Sequence, residues 1–496
     1  MVDRLLAIML LKKGVRLTEA KITRFGASSS AARARFLSLF HFIREELFRC
    51  REDLVLADGS RYSSLLLFEM LNYVLQTCAA IFGDPGQGKT TSAELISALL
   101  GGLPYPLVLA TVIRGSPEIS EEKIVGPVDL GALQSGKVLV IWSSFVRAPV
   151  KIVDEINRIP EIKQSMILEG IRTGTWIYLG QAFVGGKQPL FATLNFESFE
   201  GGTFQLVAAL LDRFSLGLDA GYPGVEACTE LALNEELDRK LERLGLCDFY
   251  EEGLGLLTSR EFDPKALTEF RRKFKNYLVG KGLEIPSDEE LDTMRQEILA
   301  LPFSEDAQRF LAFIISALNA CAKYRQKRGE QFGEIHSAGC PDDCRFFTTP
   351  CSWVLGGGSR RQEADLVQFA KALAWVRAAK EVETSDLVKV MPFVIWHRRR
   401  FSAQLMNRAK TGTNHGYPLR LEAAFGFAER LFEEYEEQRE LIAHLHKNKA
   451  ELQGSFLHLM GQKVERSEIV LVHAQDLLSE EGARRGGGNG APRTSG

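Results

Sequence analysis

Glycines, a lysine and a threonine stand at intervals that build an anion site. Residues 81–91 read Ile-Phe-Gly-Asp-Pro-Gly-Gln-Gly-Lys-Thr-Thr, and Gly83-x-x-x-x-Gly88-Lys89-Thr90 satisfies every defined position of a phosphate-binding P-loop. Gly83, Gly86 and Gly88 lack a Cβ, so the backbone can curl and aim successive N–H groups at a phosphate. A helical pattern over 92–100 adds the positive end of its dipole at the same spot. The loop that would line the phosphates comprises Gly83, Asp84, Pro85, Gly86, Gln87, Gly88, Lys89, Thr90 and Thr91. Lys89 supplies a mobile cation for the β- and γ-phosphates, and Thr90 a hydroxyl ligand for Mg²⁺.

Hydrolysis needs carboxylates at the end of a neighbouring strand. About seventy residues beyond Gly83, the apolar run Val150–Val153 ends in Asp154-Glu155. Asp154 is suited to the Mg²⁺ hydration shell and Glu155 to polarising the attacking water. A water oriented by Glu rather than Gln favours ATP over GTP. Lys151 interrupts the apolar run and suggests a strand at the sheet margin.

A second constellation is His336, Cys340, Cys344 and Cys351, four N/S ligands within sixteen residues. That set matches a closed tetrahedral Zn²⁺ site, with Gly339, Pro341 and Pro350 favouring the turns it needs. Cys50, Cys78, Cys228, Cys247 and Cys321 read as solitary thiols.

Parallel strands must position the loop and the acids. Short apolar runs predict strands at Tyr73–Phe82, Leu107–Thr111, Lys137–Trp142, Val150–Asp154 and Leu190–Asn195. A hairpin is expected at Thr175–Phe183 and a helix over Gln164–Ile171. Residues 1–65 read as a helical prefix and 66–222 as the α/β core. Residues 223–400 read as a helical lid with an insertion at 223–300 and a candidate zinc loop at 336–351. Residues 401–480 read as a further helical region and 481–496 as a disordered tail. Helices are expected at Leu231–Leu244, Pro264–Leu278, Asp288–Leu299, Asp306–Tyr324 and Arg361–Lys380, with another starting at Glu383. The 496 residues exceed a single core. A net charge of -3 gives no general attraction to nucleic acid. No apolar run reaches membrane-spanning length, and scattered cysteines without an export signal point to the cytoplasm.

Asp154-Glu155-Ile156-Asn157-Arg158-Ile159-Pro160 resembles the Walker B signature of the MoxR family of AAA+ ATPases. The resemblance continues through Ile124-Val-Gly126, Ser144-Phe145, Ala192-Thr-Leu-Asn195, Glu200-Gly-Gly-Thr-Phe, Ala209-Leu-Leu-Asp212-Arg213-Phe214 and Gly357-Gly358-Ser359-Arg360-Arg361. Phe196 and Gln205-Leu206-Val207 depart from the family pattern, which has proline at these places. The resemblance implies a P-loop NTPase fold of the AAA+ class: a parallel sheet between helices, with an all-α lid. It implies that Asn195 is sensor 1, that Arg213 is a finger reaching a neighbouring protomer's γ-phosphate, and that Arg361, or the adjacent Arg360, is sensor 2. It further implies ATP and Mg²⁺, a homo-hexameric ring, and chaperone-like remodelling of a client complex with a von Willebrand A domain adaptor. A nucleic-acid-dependent motor and a nucleotide-sensing scaffold with little turnover are the alternatives.

Overall fold

The computed structural model of the chain describes residues 31–195, 208–233, 236–327, 353–355, 358–412, 416–447 and 473. Five parallel strands form the central sheet: β1 (Cys78–Phe82), β2 (Ile113–Arg114), β3 (Lys151–Asp154), β6 (Leu190–Leu194) and β7 (Leu216–Asp219). Their order is β2-β3-β6-β1-β7. The strands are apolar on both faces because both are covered. Ala79, Ile81, Ile152 and Phe191 join one core, while Ala80, Val153 and Ala192 point into the other. An antiparallel hairpin, β4 (Thr175–Tyr178) and β5 (Gln181–Val184), stands apart from the sheet, as its turn residues predict.

The C-terminal ends of β1, β3 and β6 lie side by side, which is where open parallel sheets hold ligands. Register sets the neighbours: Val153 pairs with Ala192 and Ile81 with Thr193, so Asp154 comes level with Thr193 beside the P-loop strand.

Several expectations need correction. Tyr73–Leu75 is not strand but the end of a helix, α1 (Ser64–Leu75), which is buried on every side and stopped by Gln76 in the left-handed region at φ 53°. Leu107–Thr111 belongs to helix α3 (Tyr105–Thr111), behind α2 (Lys89–Gly101); Pro104 and Pro106 seed it, and the strand is the dipeptide Ile113–Arg114 that follows. A five-residue apolar run has no period that separates the two. Lys137–Trp142 joins no sheet. Val140 makes a single bridge with Val128, and Val138 and Leu139 are left about half exposed. Among the described residues of the prefix, Ala31–Phe42 is helical with one wide turn at Ile43–Leu47, and Leu54–Val55 then pairs with Arg61–Tyr62 around the Asp58-Gly59 turn. The expected Leu231–Leu244 helix is two, Val225–Leu233 and Leu237–Arg243.

Lys151 is not at a margin either. Strand β3 lies inside the sheet, and the fully buried ammonium donates to Val146 O and Ala148 O, carbonyls at the end of the short helix Ser144–Arg147. Burial pushes its pKa well down.

Helix α4 (Glu161–Thr173) covers the hairpin side of the core. Helices α5 (Pro264–Gly280) and α6 (Asp288–Ala300) pack back on the core: Arg271 Nε donates to Gly101 O and Arg295 Nε to Val74 O. Helix α7 (Glu305–Lys327) leads towards the lid helices α8 (Arg360–Val376) and α9 (Thr384–Ile395), the latter opened by a capping box at Glu383. Helix α10 (Leu419–Glu437) buries Ala428, Leu431 and Tyr435, and Tyr435 Oη donates to Asp306 on α7. Among the described residues no single helix is long and apolar enough to cross a membrane.

Candidate active site

The loop after β1 adopts the backbone its glycines allow: φ is 155° at Gly83, 82° at Gly86 and 75° at Gly88. Gly88 caps α2, and a Cβ there would come 2.8 Å from the Phe48 ring. Asp84, Pro85 and Gly86 form the exposed crest, and Gln87 Oε1 accepts the Asp84 N–H at 2.8 Å. Lys89 opens the helix with its side chain buried. Its Nζ donates to Gly83 O at 2.6 Å, Asp84 O at 3.0 Å and Asn195 Oδ1 at 2.6 Å. Burial holds the ammonium below its usual pKa, partly offset by Asp154, Glu155 and Asp84.

The metal-side acids are organised by two hydroxyls. Thr90 Oγ1 donates to Asp154 Oδ1 at 2.7 Å and Thr193 Oγ1 to the same oxygen at 2.6 Å. Thr193 Oγ1 also accepts the Glu155 N–H at 2.8 Å. Glu155 sits in the left-handed region at φ 50°, turning the chain sharply off β3. Gly115, the residue after β2, makes room for that turn: its N–H donates to Asp154 O, and a Cβ would fall 2.1 Å from Glu155 O. Asn195 Nδ2 donates to Glu155 Oε1 at 2.9 Å, and Arg158 Nη1 to Oε2 at 2.9 Å.

Lys89, Thr90, Asp154, Glu155 and Asn195 therefore meet in one network, as the motifs predict. The residues fit a nucleoside triphosphate with Mg²⁺. A glycine cradle precedes a helix N-terminus, a lysine already coordinates oxygens, and a threonine hydroxyl and an aspartate share one corner.

Arg213 and Arg361 belong to a second group, on the lid side. Arg213 Nη1 lies 3.4 Å from Ser165 O on α4. Arg361 Nη1 is 3.8 Å and Arg399 Nη2 3.7 Å from Asp212, whose Oδ1 also accepts from Ser359 Oγ at 2.7 Å. Arg360 instead points outward, almost fully exposed, to Glu363. Of the adjacent pair, Arg361 is the one that faces the core. Arg172 first, then Arg213 and Arg361, hold the Glu169 carboxyl below its usual range.

Sequence reasoning missed Thr193, Gly115 and Arg399 and gave Arg158 no role. Their signal is register and seam contact, which no local motif carries. His336, Cys340, Cys344 and Cys351 lie outside the described residues, as do Glu200–Phe204. Among the described residues no group of three His, Cys, Asp or Glu is arranged to hold a metal ion.

The AAA lid domain family matches residues 352–414, the segment that carries Arg361 and Arg399. The chain is 24% identical over 318 residues to Chaperone MoxR1 of Mycobacterium tuberculosis. That match covers 64% of this chain and spans 66% of the relative, just under two thirds of its length. The crystal structure of a candidate ATPase from Cytophaga hutchinsonii superposes with a TM-score of 0.50 at 16% identity, over 81% of this chain and 94% of that one, a likeness of fold. A full-length MCM homolog from Methanopyrus kandleri reaches a TM-score of 0.34 at 14% identity, over 73% of this chain and 61% of that one, too low to carry an argument. Relative, lid and fold point the same way: the chain is similar to a MoxR-type AAA+ chaperone, carries a segment matching the AAA lid domain, and has the fold of an ATPase.

Proposed function

We propose that the chain hydrolyses ATP and uses the resulting change between core and lid to remodel a client protein complex. The observation that carries this reading is the continuous set of contacts from Lys89 through Asn195 to Glu155, with Thr90 and Asp154 alongside. Lys89 and the loop amides hold the β- and γ-phosphates. Thr90 and Asp154 are the residues that would hold Mg²⁺, which neutralises phosphate charge when bound. Glu155 accepts the proton of the attacking water, and Asn195 orients that carboxylate. Arg213 acts on the γ-phosphate of a neighbouring protomer and Arg361 on its own, so loss of that phosphate releases the lid.

A shared site requires a ring, for which a homo-hexamer is the proposed form, with a von Willebrand A domain adaptor selecting the client. The cytoplasm is the proposed compartment. A structural zinc at His336, Cys340, Cys344 and Cys351 completes the reading. Zinc content near one per chain, lost together with thermal stability in Cys340→Ser, supports it, and zinc-free protein of unchanged stability removes it.

The test of the central claim is steady-state turnover. Glu155→Gln lowers kcat about a hundredfold or more while nucleotide binding persists. Lys89→Ala loses binding itself. Equal turnover in wild type and Glu155→Gln would falsify the assignment.

A further inference from the structure

Both oxygens of Glu155 are engaged, and by partners of different kinds. Asn195 Nδ2 meets Oε1, and the guanidinium of Arg158 meets Oε2, each at 2.9 Å. The backbone brings Arg158 there. Glu155, held in the left-handed region, caps a single tight turn, Ile156–Arg158, and the Arg158 N–H donates to Glu155 O at 2.8 Å. The two side chains therefore leave the turn together, with Arg158 45% exposed and Glu155 30% exposed.

We propose that Arg158 is a positioning residue that restrains Glu155, keeping the carboxylate ion-paired until it turns to the attacking water. The proposal rests on the hydrolysis reading above. A base works through a free lone pair and its negative charge, and a guanidinium on one oxygen draws on both. The two restraints on Glu155 also differ in what lifts them. Asn195 is tied through Oδ1 to Lys89, which in turn holds Gly83 O. When Lys89 moves onto phosphate, Asn195 loses that tether and can release or re-aim Oε1, so its hold answers to the nucleotide. Arg158 stands outside this relay, on the solvent side, and its hold on Oε2 is set from the surface. A partially exposed pair of this kind is worth little, which limits the restraint to about fivefold in rate.

The experiment is steady-state ATP turnover of the full chain as wild type, Arg158→Ala, Arg158→Gln, Arg158→Lys, Glu155→Gln, and the Glu155→Gln/Arg158→Ala double variant, with thermal melting of each. Arg158→Ala and Arg158→Gln raise kcat two- to about fivefold with KM for ATP unchanged, and Arg158→Lys returns kcat to the wild-type value. The ratio of Arg158→Ala to wild type shrinks towards one as ionic strength rises, because the pair is screened. The double variant is as inactive as Glu155→Gln. Unchanged or reduced kcat in both neutral variants at wild-type melting temperature overturns the restraint and leaves hydrolysis standing. Wild-type turnover that does not depend on Glu155 overturns the hydrolysis reading and this proposal with it.

Discussion

Thr193 ties the two acids of the site to each other: it donates to Asp154 and accepts from the backbone of Glu155. Thr193→Val keeps the shape and removes both bonds, leaving the Glu155 N–H without its acceptor. The expected loss is about 1–3 kcal/mol of unfolding free energy in urea titration, together with a lowered kcat. A variant as stable and as fast as wild type would show that the hydroxyl organises nothing. Lys89, Thr90, Asp154 and Glu155 were readable from their own neighbours in the chain, because each belongs to a short motif whose spacing states its job, and Asn195 came only through the family resemblance. Thr193 was not: it lies 39 residues from Asp154, and only the parallel register of β3 and β6 brings them together.

At the scale of elements, the seam between the lid segment and edge strand β7 holds the P-loop strand in place. Trp396 Nε1 donates to Gly217 O, its ring lies 4.6 Å from that of Phe82, and Arg398 donates to Phe214 O. Gly217 permits this approach, since a Cβ would lie 2.6 Å from both the Trp396 and His397 ring nitrogens. Gly217→Ala is expected to cost about 1–3 kcal/mol through overpacking, read as a drop in melting temperature. His397, beside it, is fully buried against Phe214 O; burial first, then Arg398, holds its imidazole well below the usual pKa. Below about pH 6.5 the unfolded chain takes up a proton that folded His397 refuses. The unfolded state then binds more protons, and this group makes stability fall as pH falls. Buried carboxyls oppose the trend, Asp219 raised to about 6 and Glu94 to about 7, mainly by burial. The discriminating quantity is therefore the wild-type minus His397→Gln difference in unfolding free energy from urea titration. It should decline as pH is lowered through 6.5, by at most about 1.4 kcal/mol per pH unit, and a flat difference contradicts the assignment. Helix α4, strands β3 and β6, and the capping-box start of α9 were legible from pattern. Leu107–Thr111 and Lys137–Trp142 were not, since an isolated apolar run becomes a strand only if a sheet edge is available to pair with it.

For the whole molecule, the proposed sharing of each site between protomers gives a complementation test. Arg213→Ala protomers keep Glu155, and Glu155→Gln protomers keep Arg213. Each alone is expected to be nearly inactive, and mixing them should restore a fraction of turnover, because mixed neighbours assemble intact sites. Arg213 lies against Ser165 O and not within the Lys89–Glu155 network of its own chain, the placement such a role needs. If the mixture is no more active than its components, while Arg213→Ala alone turns over at the wild-type rate, Arg213 has no role in trans.

The chemistry of this protein is written locally. Three glycines, a lysine, a threonine and an acid pair at set spacing specify a phosphate loop and a carboxylate strand end, since backbone freedom and side-chain type are properties of the residues themselves. Partnership is not local. That Thr193 bridges the acids, that Gly115 yields to Glu155, that Arg361 and Arg399 converge on Asp212, and that Lys151 is interior follow from strand order, register and packing. Those depend on which apolar surfaces win burial against each other across the folded chain, a competition no short stretch of sequence contains.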